Sequence, residues 1–300
     1  MSASVYQPLV APHSEHMPVR GVDYHLMHWG ARTGRPILLL HGWMDCAASF
    51  QFMVDASPQL REGNYLIAPD WRGFGMSGWS AEGYWFPDYL ADLDALVRYY
   101  GRGEPVVLVG HSMGGIVAGL YAGIRPDLVS HYVSLEGFGL PATVPEQAPE
   151  RYGRWLNEVQ GDQQGRLFER LDEIAKRLSS NNPRLSPDRA TWLAAYQGIE
   201  DERGARYRAD PRHRWVNPVL YRLEEAKACW RNITAKSLWL AGDEGKLLDW
   251  LRESPDAFAL RKQCIRKLQY EAIPGLGHNL HHDDPTGIAE RIVAFLNNAS

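Results

Sequence analysis

Ser112 sits between two glycines in the stretch "VVLVGHSMGGIVAG" at 106–119, with a β-branched and leucine run before it and small or apolar residues after it. Residues 106–109 suit a buried strand. Ile116, Val117, Leu120 and Tyr121 recur at helical spacing, so the pattern predicts a strand that turns straight into a helix at Gly110-His111-Ser112-Met113-Gly114. This is the G-x-S-x-G pattern of a nucleophile elbow, in which the serine takes a strained backbone geometry and the glycines let neighbouring elements pack closely. The plain alternative is a serine that caps the helix N-terminus. A base, an acid and a pair of oxyanion donors elsewhere in the chain would separate the two.

Histidine is the usual base for a serine hydroxyl. Of eleven histidines, His278 occupies a glycine-rich loop in "EAIPGLGHNLHHDDP", at the end of the last expected strand and before the closing helix. Ligands of a parallel sheet bind beyond the C-terminal strand ends, where Ser112 also lies. His281 and His282 are expected to face solvent or to cap a helix. In "LLLHGWMD" a buried strand ends at His41-Gly42, so the backbone amide of Trp43 can point above the sheet. The amide of Met113, at the start of the helix, is the natural second oxyanion donor. The His41 side chain is expected to hold the loop by hydrogen bonds.

The elements that must position these groups alternate. A hairpin about Gly21 is followed by strands at 35–42, 64–70 and 105–109, a helix at 87–101, the helix after Ser112 and a strand at 131–137. Strands at 236–244 and 264–275 and a helix at 285–299 close the chain. Such alternation predicts a parallel sheet covered by helices on both faces. The rhythm breaks between, with helical segments and no convincing strand. The division expected is therefore a core of 1–140 and 233–300 and a helical cap insertion of 141–232. Polar, turn-rich loops near Gln163–Gly165 and Asn181–Pro187 are expected to be nicked first by proteases. Trp155, Trp192 and Tyr196 are candidates to shape a pocket under the cap.

The net charge of −4 gives no sign of nucleic acid as a partner. Three cysteines at wide spacing (Cys46, Cys229, Cys264) imply no disulfide framework and no metal-ligand pattern. No stretch is long and apolar enough for a membrane span, and the first twenty residues lack the apolar core of a secretory signal, so the cytoplasm is the expected compartment. Gly73-Phe74-Gly75-Met76-Ser77-Gly78 is formally G-x-G-x-x-G. A loop-like "WSAEGYWFPD" follows it where a dinucleotide site needs a helix. Arg72 is expected to tie that loop down by pairing with a carboxylate.

"LLLHGWMD", "APDWRGFGMSG", "GHSMGG" and "IPGLGHNLHHDDP" together resemble, in this order and over nearly the whole chain, the α/β-hydrolase superfamily. "HGWMDCAASF" and "SLEGFGLP" are similar to its serine hydrolase-like branch, related to esterases, haloalkane dehalogenases and epoxide hydrolases. The resemblance implies an α/β fold with a mostly parallel eight-stranded sheet, a helical cap after the sixth strand, a serine–acid–histidine triad and no cofactor. The slot where that family usually carries its acid falls on Gly245, which cannot serve. Asp243 and Glu244 are near misses. The favoured acid is Glu136, at the matching place to the glutamate of one dehalogenase subgroup. Dehalogenases and epoxide hydrolases attack with a carboxylate, and Ser112 would give them an ether that their machinery cannot hydrolyse. The expected activity is cleavage of a small-molecule carboxylic ester or thioester through an acyl-enzyme. The alternatives are perhydrolysis or carbon–carbon bond hydrolysis with the same triad, or a ligand-binding protein of this fold with little turnover.

Overall fold

A computed structural model of the chain describes residues 5–161 and 165–298. Its strands, in chain order, are β1 (His13–Val19), β2 (Val22–Trp29), β3 (Arg35–Leu40), β4 (Asn64–Pro69), β5 (Val106–His111), β6 (Val129–Leu135), β7 (Leu167–Phe168), β8 (Gly198–Asp201), β9 (Gly204–Tyr207), β10 (Lys236–Gly242) and β11 (Leu268–Ile273). Eight of them form one sheet in the order β1-β2-β4-β3-β5-β6-β10-β11. The six from β4 to β11 run parallel, and the β1–β2 hairpin joins the β4 edge antiparallel. This is the expected α/β architecture.

The sheet reads directly from its side chains. β4 and β5 are buried at every position, as strands covered on both faces must be. Along β3, Leu38 and Leu40 enter one core while Ile37 and Leu39 enter the other, because successive side chains point to opposite faces. The edge strand β11 instead exposes Gln269 and Glu271, polar residues that discourage pairing with another chain. One core is covered by the helices Phe86–Gly101 and Met113–Ile124, the other by Gln51–Ala56 and Pro285–Asn297. Arg20 and Gly21 both take positive φ in the two-residue turn between β1 and β2, the backbone that a tight hairpin requires.

Between β6 and β10 lie the helices Ala148–Gln160, Leu171–Asn181, Pro187–Gln197 and Leu223–Arg231. Three short strands also occur there, contrary to the expectation of none: β7, β9 and β8 form a small antiparallel sheet. Leu167 and Phe168, in the stretch expected to be helical, therefore belong to a strand, and the helix begins only at Leu171. The segment packs on both faces of the main sheet. Ile174, Leu185 and Leu193 join the Phe50 and Phe52 core, whereas Ala226 and Trp230 join that of Val117 and Tyr121. Of the two loops expected to be easily nicked, 163–164 lies outside the described residues. The other is anchored: Asn182 is buried and its side chain donates to Asp283 at 2.9 Å.

Arg72 meets the expected carboxylate, that of Asp92, through Nε at 2.5 Å and Nη2 at 2.6 Å. The G-x-G-x-x-G stretch around it is a loop wrapped on Asp70. That buried carboxylate accepts from the Ala47 amide at 2.7 Å and the Met76 amide at 2.8 Å, and bonds His25 Nδ1 at 2.8 Å. Burial works against the charge of Asp70, yet these bonds hold its carboxyl below the usual range.

Several imidazoles are buried in neutral form. His41 is fully covered: its Nδ1 donates to the Gly42 carbonyl at 2.7 Å and its Nε2 accepts from the Trp71 amide at 2.9 Å, which is the loop-holding role expected of it. Burial pushes His41 down to about 4 and His282 down to about 3. Unfolded imidazoles titrate near 6.5, about the ordinary value, so below that pH the unfolded chain binds more protons than the folded one. The stability these residues contribute is complete above about pH 6.5 and is lost progressively as the pH falls toward 4 and 3. The melting temperature is accordingly expected to fall through this window; a scan that stays flat from pH 6.5 to 4 would contradict the burial of neutral histidines.

Candidate active site

The turn after β5 has the expected backbone. Ser112 has φ 49° and ψ −116°, a strained geometry for a residue with a side chain. Its hydroxyl does not cap the helix Met113–Ile124, so the plain capping alternative fails. A Cβ added to Gly114 would lie 2.0 Å from the Leu40 carbonyl oxygen, and one on Gly110 would lie 2.4 Å from Gly114. Both glycines are thus required for the helix to start this close to β3 and β5. The Ser112 amide donates to the Leu135 carbonyl at 2.8 Å, joining the turn to the end of β6.

Glu136 follows at the end of β6, also at positive φ (56°), with its carboxylate buried. One oxygen accepts from the Gly242 amide at 2.7 Å. The other stands 3.5 Å from Nδ1 of His278. That is an ion-pair distance, longer than the 3.2 Å of a tight hydrogen bond; catalytic bonds are often loose before substrate binds. His278 is half exposed, and its backbone carbonyl accepts from His111 Nε2 at 2.9 Å. The loop carrying His278 is therefore tied to the residue next to Ser112.

The two alternative acids are engaged elsewhere. Asp243 accepts from the Gly275 amide at 2.8 Å, and Glu244 pairs with Arg184. Gly245 explains why. A Cβ there would come within 3.3 Å of Glu136 Oε1, so the missing side chain leaves the room that the Glu136 carboxylate uses.

Trp43 and Met113 border one cavity of about 370 Å³, together with Trp155 and Trp215. Among the described residues, neither the Trp43 nor the Met113 amide donates to another group. The next residue, Met44, is a third non-glycine residue here at positive φ (58°). Trp192 and Tyr196 do not join Trp155; they pack on each other and near Tyr6.

His281 and His282 do not face solvent. Their relative exposures are 0% and 5%, because the short helix Leu280–Asp283 folds back onto the rings of Phe50 and Phe52. His281 comes near His111 and Asp45, and one ligand atom from each of the three lies within 4.8 Å of the others. Asp45 Oδ2, His111 Nδ1 and His281 Nδ1 have no partner among the described residues. Burial pushes the Asp45 carboxyl up to about 7, so near neutrality a proton on Asp45 gives this cluster a donor. Widely separated in the sequence, the three carried no ligand-like spacing.

A family model for alpha/beta hydrolases matches residues 37–291. The chain belongs to the alpha/beta hydrolase family. It is 28% identical over 290 residues to the serine hydrolase-like protein of Danio rerio, covering 93% of this chain and 87% of the relative. The 2-(acetamidomethylene)succinate hydrolase of Mesorhizobium japonicum is 25% identical over 287 residues, covering 94% of this chain and 96% of the relative. Among solved structures, the thioesterase domain from the curacin biosynthetic pathway superposes with a TM-score of 0.84 at 24% identity, covering 95% of this chain and 100% of that one. That likeness carries the fold. Among the described residues of this family member, no helix is long and apolar enough to cross a membrane.

The Glu136–Gly242 bond yields a stability test. Glu136→Gln keeps an oxygen that can accept from the Gly242 amide and should melt close to the parent. Glu136→Ala leaves that buried amide unpaired and should cost about 1–3 kcal/mol. Equal melting temperatures for the two variants would show that the bond does not hold the ends of β6 and β10 together.

Proposed function

We propose that the chain is a serine hydrolase acting on a carboxylic ester or thioester, with Ser112 as nucleophile, His278 as base and Glu136 as acid. The observation that carries this reading is the buried Glu136 carboxylate 3.5 Å from Nδ1 of His278, beside a strained serine with no capping role. Glu136 holds the Nδ1–H tautomer of His278 and offsets the charge of its imidazolium. Nε2 is then free to take the Ser112 proton as Oγ attacks the carbonyl. The amides of Trp43 and Met113 receive the oxyanion. The tetrahedral intermediate collapses, the leaving group takes the proton from His278, and water repeats the sequence on the acyl-enzyme. The segment 141–232 serves as a cap, with Trp155 and Trp215 roofing the cavity that borders both oxyanion donors.

Ser112→Ala and His278→Ala should each lower ester turnover by about 10³-fold or more, because nucleophile and base act as one unit. Ser112→Ala should also abolish labelling by a fluorophosphonate. Glu136→Gln should cost roughly 10²–10⁴-fold at an unchanged fold. Asp243→Asn and Glu244→Gln should stay within about tenfold of the parent. Undiminished turnover in Ser112→Ala would reject the nucleophile. A loss in Asp243→Asn as deep as that in Glu136→Gln would reject the relocated acid.

A further inference from the structure

Three cavities adjoin one another beside the nucleophile turn. The middle one carries Trp43 and Met113 in its wall. It shares Arg212 and Trp215 with a cavity of about 760 Å³ on one side. On the other it shares Trp85, Phe86 and Asn217 with one of about 450 Å³. The outer two differ in chemistry. The smaller follows Ile116, Leu120 and Ile124 of the nucleophile helix and is closed by Leu140, Val219 and Leu220, an apolar trough. The larger begins at Met44 and gathers Arg166, Arg203, Arg206, Arg212 and Arg214.

Five guanidinium groups around one cavity are notable in a chain whose net charge is −4. Asp210 is occupied by Arg212 at 2.6 Å, and Asp201 is shared by Arg203 and Arg206. Among the described residues, Arg166 and Arg214 have no carboxylate partner. Arg166 stacks 4.9 Å above the Phe168 ring, which orients its guanidinium and leaves its N–H donors open. Clustered arginines repel one another unless an anion is present, and the guanidinium fork matches phosphate oxygens in pairs.

We propose that this arginine cavity binds the phosphate groups of the leaving thiol. The substrate is then an acyl thioester of a phosphopantetheine-type thiol, with its apolar acyl chain in the opposite trough. The inference rests on the serine hydrolase reading above. Ser112 Oγ bonds to the thioester carbon as its proton passes to His278. The C–S bond breaks, and the departing thiolate takes that proton. Water then cleaves the acyl-enzyme, so that one thioester and one water give one carboxylic acid and one thiol. Arg212 and Trp215, which line both cavities, make the arginine cavity continuous with the one that borders Trp43 and Met113.

The test compares octanoyl thioesters of pantetheine, 4′-phosphopantetheine and coenzyme A, which share acyl group and thiol and differ in phosphates. At low salt, kcat/KM for a phosphorylated thioester should exceed that for the pantetheine thioester by about tenfold or more. The double variant Arg166→Ala/Arg214→Ala, checked for an unchanged melting temperature, should bring this ratio toward one and flatten its salt dependence. Equal enhancement by 4′-phosphopantetheine and coenzyme A would assign the single phosphate of a carrier-bound arm. A further gain with coenzyme A would assign the free nucleotide thiol. Equal rates for all three thioesters overturn the inference. So does a preference for esters bearing an acyl carboxylate that the double variant abolishes. If neither p-nitrophenyl octanoate nor any thioester is cleaved, the hydrolase reading has failed on its own. Calorimetry with coenzyme A then decides the cavity: binding that the double variant loses supports the phosphate site, and no binding at millimolar concentration overturns it.

Discussion

The site depends on a backbone contact. The first turn of the helix Met113–Ile124 lies so close to β3 that a Cβ on Gly114 would sit 2.0 Å from the Leu40 carbonyl oxygen. That approach places Ser112 at positive φ and brings the end of β3, with Gly42, beside it. The cost of the strained residue is of order 1–3 kcal/mol and is carried by the buried strands on either side. Met44 and Glu136, also at positive φ, share this neighbourhood. Each of the three follows the end of a different strand of the sheet, β3, β5 or β6.

Glu136, the acid of the triad proposed above, shows how one constraint can be met at another position. Carboxylate and imidazole must meet, but either β6 or β10 can deliver the carboxylate because the two strands are neighbours. Here β6 delivers it, and β10 contributes a glycine that leaves room and an amide that orients. The Gly242 amide fixes one carboxylate oxygen, and the second is left facing His278.

Much of this was legible in the sequence because it rests on local signals. Continuous apolar runs marked β3, β4 and β5, and glycine spacing marked the turn at Ser112. The small sheet of β7, β8 and β9 was not legible. Its strands are two to four residues long, and "GIED" and "GARY" carry too few apolar side chains to alternate visibly. The burial of His281 and His282 was hidden for a different reason. Polar residues in a turn-rich stretch read as solvated, and only the tertiary return of Leu280–Asp283 onto Phe50 and Phe52 covers them. The cluster of Asp45, His111 and His281, like the arginine cavity, is assembled from residues far apart in the chain. No spacing rule reaches it.

Asp70 has a consequence beyond its own loop. Its carboxylate holds the Ala47 amide, the Met76 amide and His25 at once, so it clamps the β2 strand, the 73–78 loop and the single helical turn Ala47–Phe50 to one another. The loop after β3 is therefore anchored at both ends: at Leu40 by the sheet and at Ala47 by this carboxylate. A segment pinned in this way has little freedom to adapt when a substrate arrives. In the hydrolase proposed above, differences in substrate shape fall to the opposite wall, which lies in the stretch between β6 and β10. On that reading the division is between a stator that keeps the chemistry constant and a replaceable fitting that chooses what enters.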